Sequence, residues 1–281
     1  MRPKSLLFSS IPDRALVVAP RWGLPFVALG HWVVSTVRDF GAAALFLTKT
    51  FVLIFRPRQI TAIANQVLHI GATSSLIVLM VGLFTGMVMG LQMYYALVTY
   101  GSEAALGSAV ALSLVRELGP VLTAIMITAR AGSAMTAEIG IQRISEQIDA
   151  LQTMGINPIK FLISPRLVAA VISFPILTAF FDLIGLVGGY ITGVILLGLN
   201  PGIYFYRVCD SLQWGDIYGG FVKAVVFAVL VSTICTYRGF FCHLRPESHG
   251  AQSVSIATTS AVVLSCVWIL VADYIVTSFL M

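Results

Sequence analysis

The chain has 281 residues, of which 58% are hydrophobic and only 10% are charged. Soluble globular proteins carry about 25% charged residues, so the composition excludes a water-soluble domain of this length and indicates an integral membrane protein. The formal net charge is +5, but the basic residues are scattered and form no concentrated patch, which argues against a nucleic-acid-binding protein.

The N-terminal part contains no clear membrane span. Residues 1–25 are polar and contain proline, and we expect a cytoplasmic tail whose apolar run is too short for a signal peptide. Residues 26–60 are apolar but are interrupted by Arg38, Asp39 and Lys49. This pattern favours an interfacial helix on the inner membrane surface. A poor span is the alternative, since insertion costs only about 3 kcal/mol per central ionised residue.

The first two predicted spans are near residues 70–97 and 108–129. The first has no charged residue and contains three glycines spaced by four, at Gly82, Gly86 and Gly90. Small residues at this spacing let a neighbouring helix approach closely. We therefore expect a tight helix pair that includes the first span.

The second predicted span contains two adjacent charges, Arg116 and Glu117, followed by Pro120. Pro120 lacks a backbone N–H and is expected to kink the helix. Charges inside a membrane are costly and usually face a cavity or a partner. They form either structural ion pairs or a polar patch with a function. Because successive helical residues point about 100° apart, the two side chains are not expected to share one partner.

Residues 130–166 hold a cluster of charges between two apolar segments. Within it, apolar residues spaced i, i+3, i+7 and i+10 predict one amphipathic surface helix over residues 138–154. Its apolar side comprises Ile141, Ile144, Ile148 and Leu151, and its polar side comprises Glu138, Gln142, Glu146, Asp149 and Thr153. Gly155 is expected to end the helix, and Ser164 followed by Pro165 resembles a new helix start. The helix either lies on the bilayer or docks another subunit that transmits force.

The remaining predicted spans are residues 164–197, 219–237 and 256–279, joined by loops at 200–218 and 238–255. Asp182, among the glycines of the third span, is expected to be satisfied inside a tight helix pair. With five crossings and a cytoplasmic N-terminus, nearly all Lys and Arg residues face inward, as the positive-inside rule favours. The exceptions among the 17 are Arg116, Arg207 and Lys223. The C-terminus is then periplasmic.

The amino-acid sequence of residues 128–166 closely resembles the MlaE family, the permease subunits of ABC systems that move phospholipid between bacterial membranes. The matching runs are Thr128 to Ala134, Ala137 to Gly140, Ile144 to Leu151, Met154 to Pro158, and Pro165-Arg166. A looser likeness extends from about Val67 to the C-terminus, which predicts an MlaE-like permease domain over residues 61–281. The chain departs from the family at Gly250 to Ser255, where the family pattern is Gly-Ala-x-Gly-Val-Gly.

The resemblance implies an inner-membrane permease without catalytic activity of its own. Its implied partners are a second copy of the chain, two cytoplasmic ABC ATPases that bind ATP and Mg, a hexameric periplasmic ring of MCE-domain subunits, a small STAS-like subunit, and phospholipid. The implied ATPase-coupling residues are Glu138, Gln142, Arg143, Glu146 and Asp149. The candidates for the substrate path or the periplasmic contact are Arg116, Glu117, Met87 and Leu91; flexible Met side chains suit a pocket for acyl chains.

Other classes find less support in the sequence. No Gly-rich Walker A loop precedes any of the four lysines, so ATP hydrolysis requires a separate polypeptide. The four cysteines and four histidines show no metal-ligand spacing, and no nucleophile elbow is present. An ion-coupled secondary transporter of a hydrophobic substrate is the alternative function, although the inverted repeat expected of that class is not evident.

Overall fold

The structure is a computed structural model, and it describes residues 41, 45–48, 50, 60–244 and 250–280. The described residues from Phe46 onward belong to one compact unit. The predicted tail at 1–25 and most of the predicted interfacial helix at 26–60 lie outside the described residues. The described part of the chain is helical and contains no strand.

Seven helices follow in chain order from residue 60. They are α1 (Ile60–Val98), α2 (Glu103–Ile144), α3 (Gln147–Thr153), α4 (Ile159–Leu196), α5 (Pro201–Ser211), α6 (Trp214–Phe240) and α7 (Ala251–Leu280). Five of them, α1, α2, α4, α6 and α7, are long and apolar enough to cross a membrane. This confirms the prediction of an all-α membrane protein with five spans. We call the end of the bundle that carries the turn at residues 145–158 the basic end, because Arg143, Lys160 and Arg166 flank this turn in the sequence. The end that carries α5 is called the opposite end.

The second span is much longer than predicted. Helix α2 has 42 residues, which corresponds to about 63 Å of helix, twice the roughly 30 Å hydrocarbon core of a bilayer. It contains π-helical turns at Leu114–Leu118 and Thr128–Gly132 and continues past Ala129 to Ile144. The first part of the predicted 138–154 helix is therefore the end of this long helix, which exceeds the length that one crossing needs.

The predicted surface helix is broken at Glu146, whose φ of +59° is in the left-handed region. Only the short helix α3 follows, and it ends before Gly155 (φ +75°), as predicted. The break separates the apolar positions: Ile148 is buried, whereas Ile141 is 58% exposed. The single apolar side expected from the periodicity does not form, because that periodicity assumed one unbroken helix.

The third span becomes α-helical at Ser164, as the Ser164-Pro165 signal predicts, and a π-helical turn precedes this point. Helix α4 starts at Ile159 with a π-helical turn, and the side chain of Asn157 accepts a hydrogen bond from the Ile159 N–H (3.1 Å). Ser164 is the first residue of the α-helical part and Pro165 is in its first turn, whereas the predicted N-cap role falls to Ile163, which makes no side-chain capping hydrogen bond. The π-helical turn therefore extends the span to Ile159.

The glycine row of α1 packs against glycines of α4, which confirms the expected close approach and identifies the partner helix. The helices run in the same direction, with Gly86 of α1 against Gly185 of α4 and Gly90 against Gly189. A Cβ at Gly86 would collide with the Gly185 carbonyl. Thr192 of α4 adds a hydrogen bond to the carbonyl of Met87 (3.0 Å).

Helix α5 lies within the segment 200–218, which the sequence analysis treats as a loop. The side chain of Asn200 accepts hydrogen bonds from the Gly202 and Ile203 N–H groups (2.8 and 3.4 Å), and Pro201 occupies the first turn. Asn at the N-cap followed by Pro at the first helical position is a start signal visible in the sequence. The opposite end of the bundle therefore carries a short helix between the third and fourth spans.

Candidate functional site

Three spans line a cavity of about 380 Å³ near the opposite end, and two of them, α2 and α6, contribute charged residues to it. The lining residues come from α2, α6 and α7: Arg116, Glu117, Gly215, Asp216, Gly219, Gly220, Lys223, Thr277 and Leu280. Ligand cavities commonly measure 300–1,000 Å³. The cavity is of a size for a polar group, such as a lipid headgroup, and not for a complete two-chain lipid.

Lys223 of α6 is the centre of this charged cluster. Its side chain is only 3% exposed, and its ammonium lies 2.7 Å from Glu117 Oε2 and 3.1 Å from Asp273 Oδ1. Burying an unpaired ammonium costs several kcal/mol, so the two carboxylates are needed to hold the charge inside the bundle. The side chain of Thr277 of α7 donates a long hydrogen bond to the other Glu117 oxygen (3.4 Å).

The backbone of α2 also contributes an acceptor to Lys223. In a regular helix the carbonyl of Arg116 would accept from the N–H of residue 120, but residue 120 is proline and has none. The Lys223 ammonium donates to this carbonyl at 2.8 Å. Pro120 thus frees an acceptor inside the membrane, and a lysine from a neighbouring span satisfies it.

Arg116 pairs with a different residue, as expected for adjacent helical positions. Its Nε donates to Asp216 Oδ1 at 2.7 Å. The second oxygen of Asp216 accepts from the Gln213 N–H (3.1 Å) and so caps the start of α6. The two predicted charges have separate ion-pair partners but line one cavity.

The cluster contains three carboxylates and two basic groups, so with ordinary charges it carries one net negative charge. The carboxylates are Glu117, Asp216 and Asp273, and the basic groups are Arg116 and Lys223. Such an arrangement can exchange ion pairs with a zwitterionic group. The prediction identified only two of the five charged members. The sequence contains a signal for two of the other three, since Lys223 and Asp273 are the charged residues inside the fourth and fifth predicted spans.

Met87 and Leu91 do not line this cavity. The backbone of Met87 packs against Gly188 of α4, and Leu91 is partly exposed on the surface of α1. Their part in a substrate path stays a prediction. Asp182 lies against Gly119, and its Oδ1 has no hydrogen-bond partner among the described residues. The expectation that this carboxyl is satisfied inside a helix pair is therefore not met.

At the basic end, Glu138 is tied to two other spans. One carboxylate oxygen accepts from Arg166 of α4 (2.9 Å), and the other lies 3.4 Å from His69 of α1. The Arg166 side chain is buried. Glu138 therefore joins the end of α2 to α1 and α4. The amphipathic pattern predicts instead that its side chain projects freely into solvent.

Arg143 and Asp149 also bind each other across the break in the chain. Arg143 donates to Asp149 Oδ1 at 2.7 Å, and its guanidinium lies 5.5 Å from the centre of the Phe240 ring. The Arg143 Nε also donates to His243 Nδ1 (3.1 Å). Burial, and then the nearby Arg143 charge, lower the pKa of His243. Arg143 therefore fastens α3 to the end of α6.

Of the remaining predicted coupling residues, Gln142 is half-buried and Glu146 is exposed. The exposed surface around the break also carries large apolar side chains among its polar residues. Ile141, Ile144, Met154 and Ile156 are all exposed there, Met154 to 64%. Sequence reasoning missed this patch because it assigned Ile141 and Ile144 to a buried side.

Comparison with known proteins agrees with this architecture. Residues 63–279 match the family model described as permease MlaE. The chain is 41% identical to the intermembrane phospholipid transport system permease protein MlaE of Haemophilus influenzae, over 90% of this chain and 96% of that protein. It is 38% identical to a probable ABC transporter permease protein of Rickettsia conorii, over 89% and 95% of the two chains. A match covering most of the chain and all five spans shows that this protein belongs to the MlaE permease family.

Proposed function

We propose that this chain is the membrane-spanning subunit of an ABC transporter that moves phospholipid between the inner membrane and periplasmic MCE proteins. The observation that supports this function most is the charged cavity, which three spans line. The chain's similarity to a protein named as a permease of intermembrane phospholipid transport supports it as well. Two copies of the chain, two cytoplasmic ATPases with ATP and Mg, an MCE-domain hexamer and a STAS-like subunit would form the complex. The basic end faces the cytoplasm in this proposal.

In the proposed mechanism, the cavity receives the headgroup. A zwitterionic headgroup carries a phosphate and an amine, which match the Arg116 guanidinium and the Glu117 carboxylate. The acyl chains remain against the apolar surface of the bundle, because the cavity cannot hold them. The route of the lipid through the protein is then polar only at the cavity, where the headgroup passes. The acyl chains stay in an apolar environment.

The cavity hypothesis is tested with Arg116→Ala and Glu117→Ala in the assembled transporter, measured as transfer of a fluorescent phospholipid from vesicles. Each variant should reduce transfer while the ATPase still copurifies. Arg207→Ala is the matched control, because Arg207 is an exposed arginine of α5 at the same end, and it should leave transfer unchanged. Should the cavity variants insert normally and transfer lipid at the wild-type rate, the cavity has no part in the path. Failure of both to insert would favour a purely structural ion-pair network.

We further propose that the apolar patch at the basic end is the centre of the ATPase contact. Its members, Ile141, Ile144, Met154 and Ile156, project from the end of α2 and the turn after α3. Interface centres are depleted of charge and are surrounded by a polar rim, where Glu146 would lie. Asp149 is already paired with Arg143, so it steers the partner less than the sequence suggests.

This contact is tested by copurification of the ATPase with the full chain. Ile141→Glu should insert normally and lose the ATPase, because it places a charge at the centre of the interface. Glu146→Lys is the rim control and should weaken binding mainly at low salt. Retention of the ATPase by Ile141→Glu, with unchanged ATP hydrolysis, would remove the patch from the interface.

The class of transporter is tested separately. Lipid transfer by the reconstituted complex should require ATP and should be unaffected when proton and sodium gradients are collapsed. Transfer that follows an ion gradient without ATP would favour the secondary transporter.

A further inference from the structure

Helix α5 packs against the flank of the bundle, not above it. Its buried side chains are Tyr204 and Val208, one helical turn apart. The Tyr204 backbone is so close to Gly107, in the first turns of α2, that a Cβ there would lie 2.5 Å from the Tyr204 carbonyl oxygen. The axis of α5 therefore crosses α2 at the level where that span begins.

The Tyr204 side chain shows how deep this contact is. Its hydroxyl donates to the carbonyl of Leu186 in α4 (3.1 Å). Leu186 precedes the end of α4, Leu196, by ten residues, or about 15 Å of helix. The ring thus reaches well below the end of a span, and burial raises the pKa of Tyr204 to about 12. This contact fixes α5 at the depth of the span ends.

The outward surface of α5 is apolar and aromatic. Phe205 is 56% exposed and Tyr206 is 66% exposed, and Ile203 is also exposed. Cys209 follows Phe205 by one turn and is exposed as well. In water these side chains would form an unfavourable apolar patch on a helix of only eleven residues.

Exposed aromatic residues occur on the other elements at this end too. Tyr95 and Tyr100 lie at the end of α1, Trp214 and Tyr218 in the first turns of α6, and Tyr274 near the end of α7. Trp214 is 86% exposed. Tyr and Trp concentrate at membrane–water boundaries, where an apolar ring and a polar tip are both accommodated. Because these residues belong to three elements besides α5, they fit a planar layer that contacts the whole bundle better than a partner seated on α5 alone.

We propose that α5 is an interfacial helix that lies in the headgroup layer of the leaflet at the opposite end. Phe205, Tyr206 and Cys209 contact lipid at the boundary between headgroups and acyl chains. Arg207 and Asp210 are exposed on the other flank, which also carries Ile203, since the three residues stand at positions i, i+4 and i+7. Both charged side chains extend to the headgroups and water. Interfacial helices of this kind place their apolar side about 5–10 Å into the boundary. The occupant of this surface is lipid, and a protein partner is the competing outcome of the test.

The test uses the natural thiol Cys209 in the full chain, reconstituted in phosphatidylcholine–phosphatidylglycerol vesicles without partner proteins. Cys266→Ala removes the other accessible thiol, since Cys235 and Cys242 are buried. A nitroxide on Cys209 should collide more often with oxygen, which enriches in lipid, than with a water-soluble nickel chelate. A nitroxide on Glu146→Cys, in the turn beyond the basic end of α2, is the control and should show the opposite order.

A Cys209 label as accessible to the nickel chelate as the Glu146→Cys label would overturn the proposal and leave the α5 surface open to a protein partner. A second measurement avoids the label. Trp214 fluorescence, in a chain whose other tryptophans are replaced by Phe, should be quenched more by lipids brominated near the headgroup than by lipids brominated near the chain ends. The reverse order, or no quenching by either lipid, would also contradict the proposal. Neither measurement depends on transport or on the ATPase.

Discussion

At the residue scale, the charged cavity shows how a membrane bundle accommodates ionised groups. The Lys223 ammonium is held by Glu117, Asp273 and the carbonyl of Arg116. Each group alone would be costly in the apolar interior, and the ion pairs offset part of that cost. Removing one charged member is therefore expected to lower the free energy of unfolding more than removing two oppositely charged members together.

Lys223→Met should lower the thermal stability of the detergent-solubilised chain, because it leaves Glu117 and Asp273 without their cation. Breaking a buried pair costs about 3–5 kcal/mol, and the partly exposed carboxylates place this case at the lower end. Lys223→Met combined with Glu117→Gln should recover part of the loss. The measurement is the midpoint of thermal unfolding, followed by fluorescence-detected size exclusion. Equal midpoints for the single and double variants would contradict the coupling.

His243 gives a second prediction at this scale. Its pKa in the folded chain is lowered by burial and by Arg143, so the folded state favours the neutral ring. This stability is present above the ordinary histidine pKa of about 6.5 and is lost as the pH falls below it, because the unfolded chain then binds more protons. The wild type should lose more thermal stability than His243→Gln between about pH 7.5 and about pH 5.5. Parallel losses in the two proteins would exclude His243 as the cause.

At the element scale, the pairing of α1 with α4 depends on the absence of side chains. The backbones meet where Gly86 faces Gly185, and Gly188 faces the carbonyl of Leu83. Without a solvent-driven attraction between helices in lipid, close packing of this kind supplies much of the association energy. The glycine spacing predicted the contact, but it did not identify which helices pair.

Gly86→Ala should weaken this pair by more than the roughly 1–3 kcal/mol typical of overpacking, because the new Cβ meets backbone that cannot rotate away. Gly71→Ala is the matched control: Gly71 is in the same helix, and a Cβ there meets nothing within 4 Å. This control should be neutral or stabilising by up to about 1 kcal/mol, the gain in helix propensity. Thermal unfolding of both variants measures the difference, and similar effects of the two would argue against the close approach.

At the scale of the whole molecule, the distribution of basic residues predicts orientation. Only Arg116, Arg207 and Lys223 of the 17 Lys and Arg residues lie away from the basic end and the N-terminal segment. In the structure, Lys223 and Arg116 are paired within the charged cavity. Arg207 then remains as the exposed basic residue assigned to the opposite side, which agrees with the positive-inside rule.

In a chain whose Cys209 and Cys266 are replaced by Ala, a cysteine placed at Arg143 should therefore be protected from membrane-impermeant thiol reagents in intact cells. A reporter fused after Met281 should behave as periplasmic. Because Arg143 also binds Asp149, Glu146→Cys is a second probe that leaves this ion pair intact. Labelling of both cysteines in intact cells would overturn the five-span orientation. A variant with a new exposed cysteine at Gly202 serves as the accessible control.

The sequence by itself determined the class of protein, the number of spans, the tight packing of glycine rows and the family. These features follow from composition, apolar length and local spacing, which act along the chain and need no knowledge of neighbours. Only the tertiary structure decided which charges pair: Glu117 with Lys223, Arg116 with Asp216, and Glu138 with Arg166. It also decided that the predicted 138–154 helix breaks at Glu146 and that Ile141 is exposed while Ile148 is buried. The physical reason is that burial and ion pairing depend on residues of other helices, 28 to 106 positions away for these three pairs, which periodicity within one segment does not report.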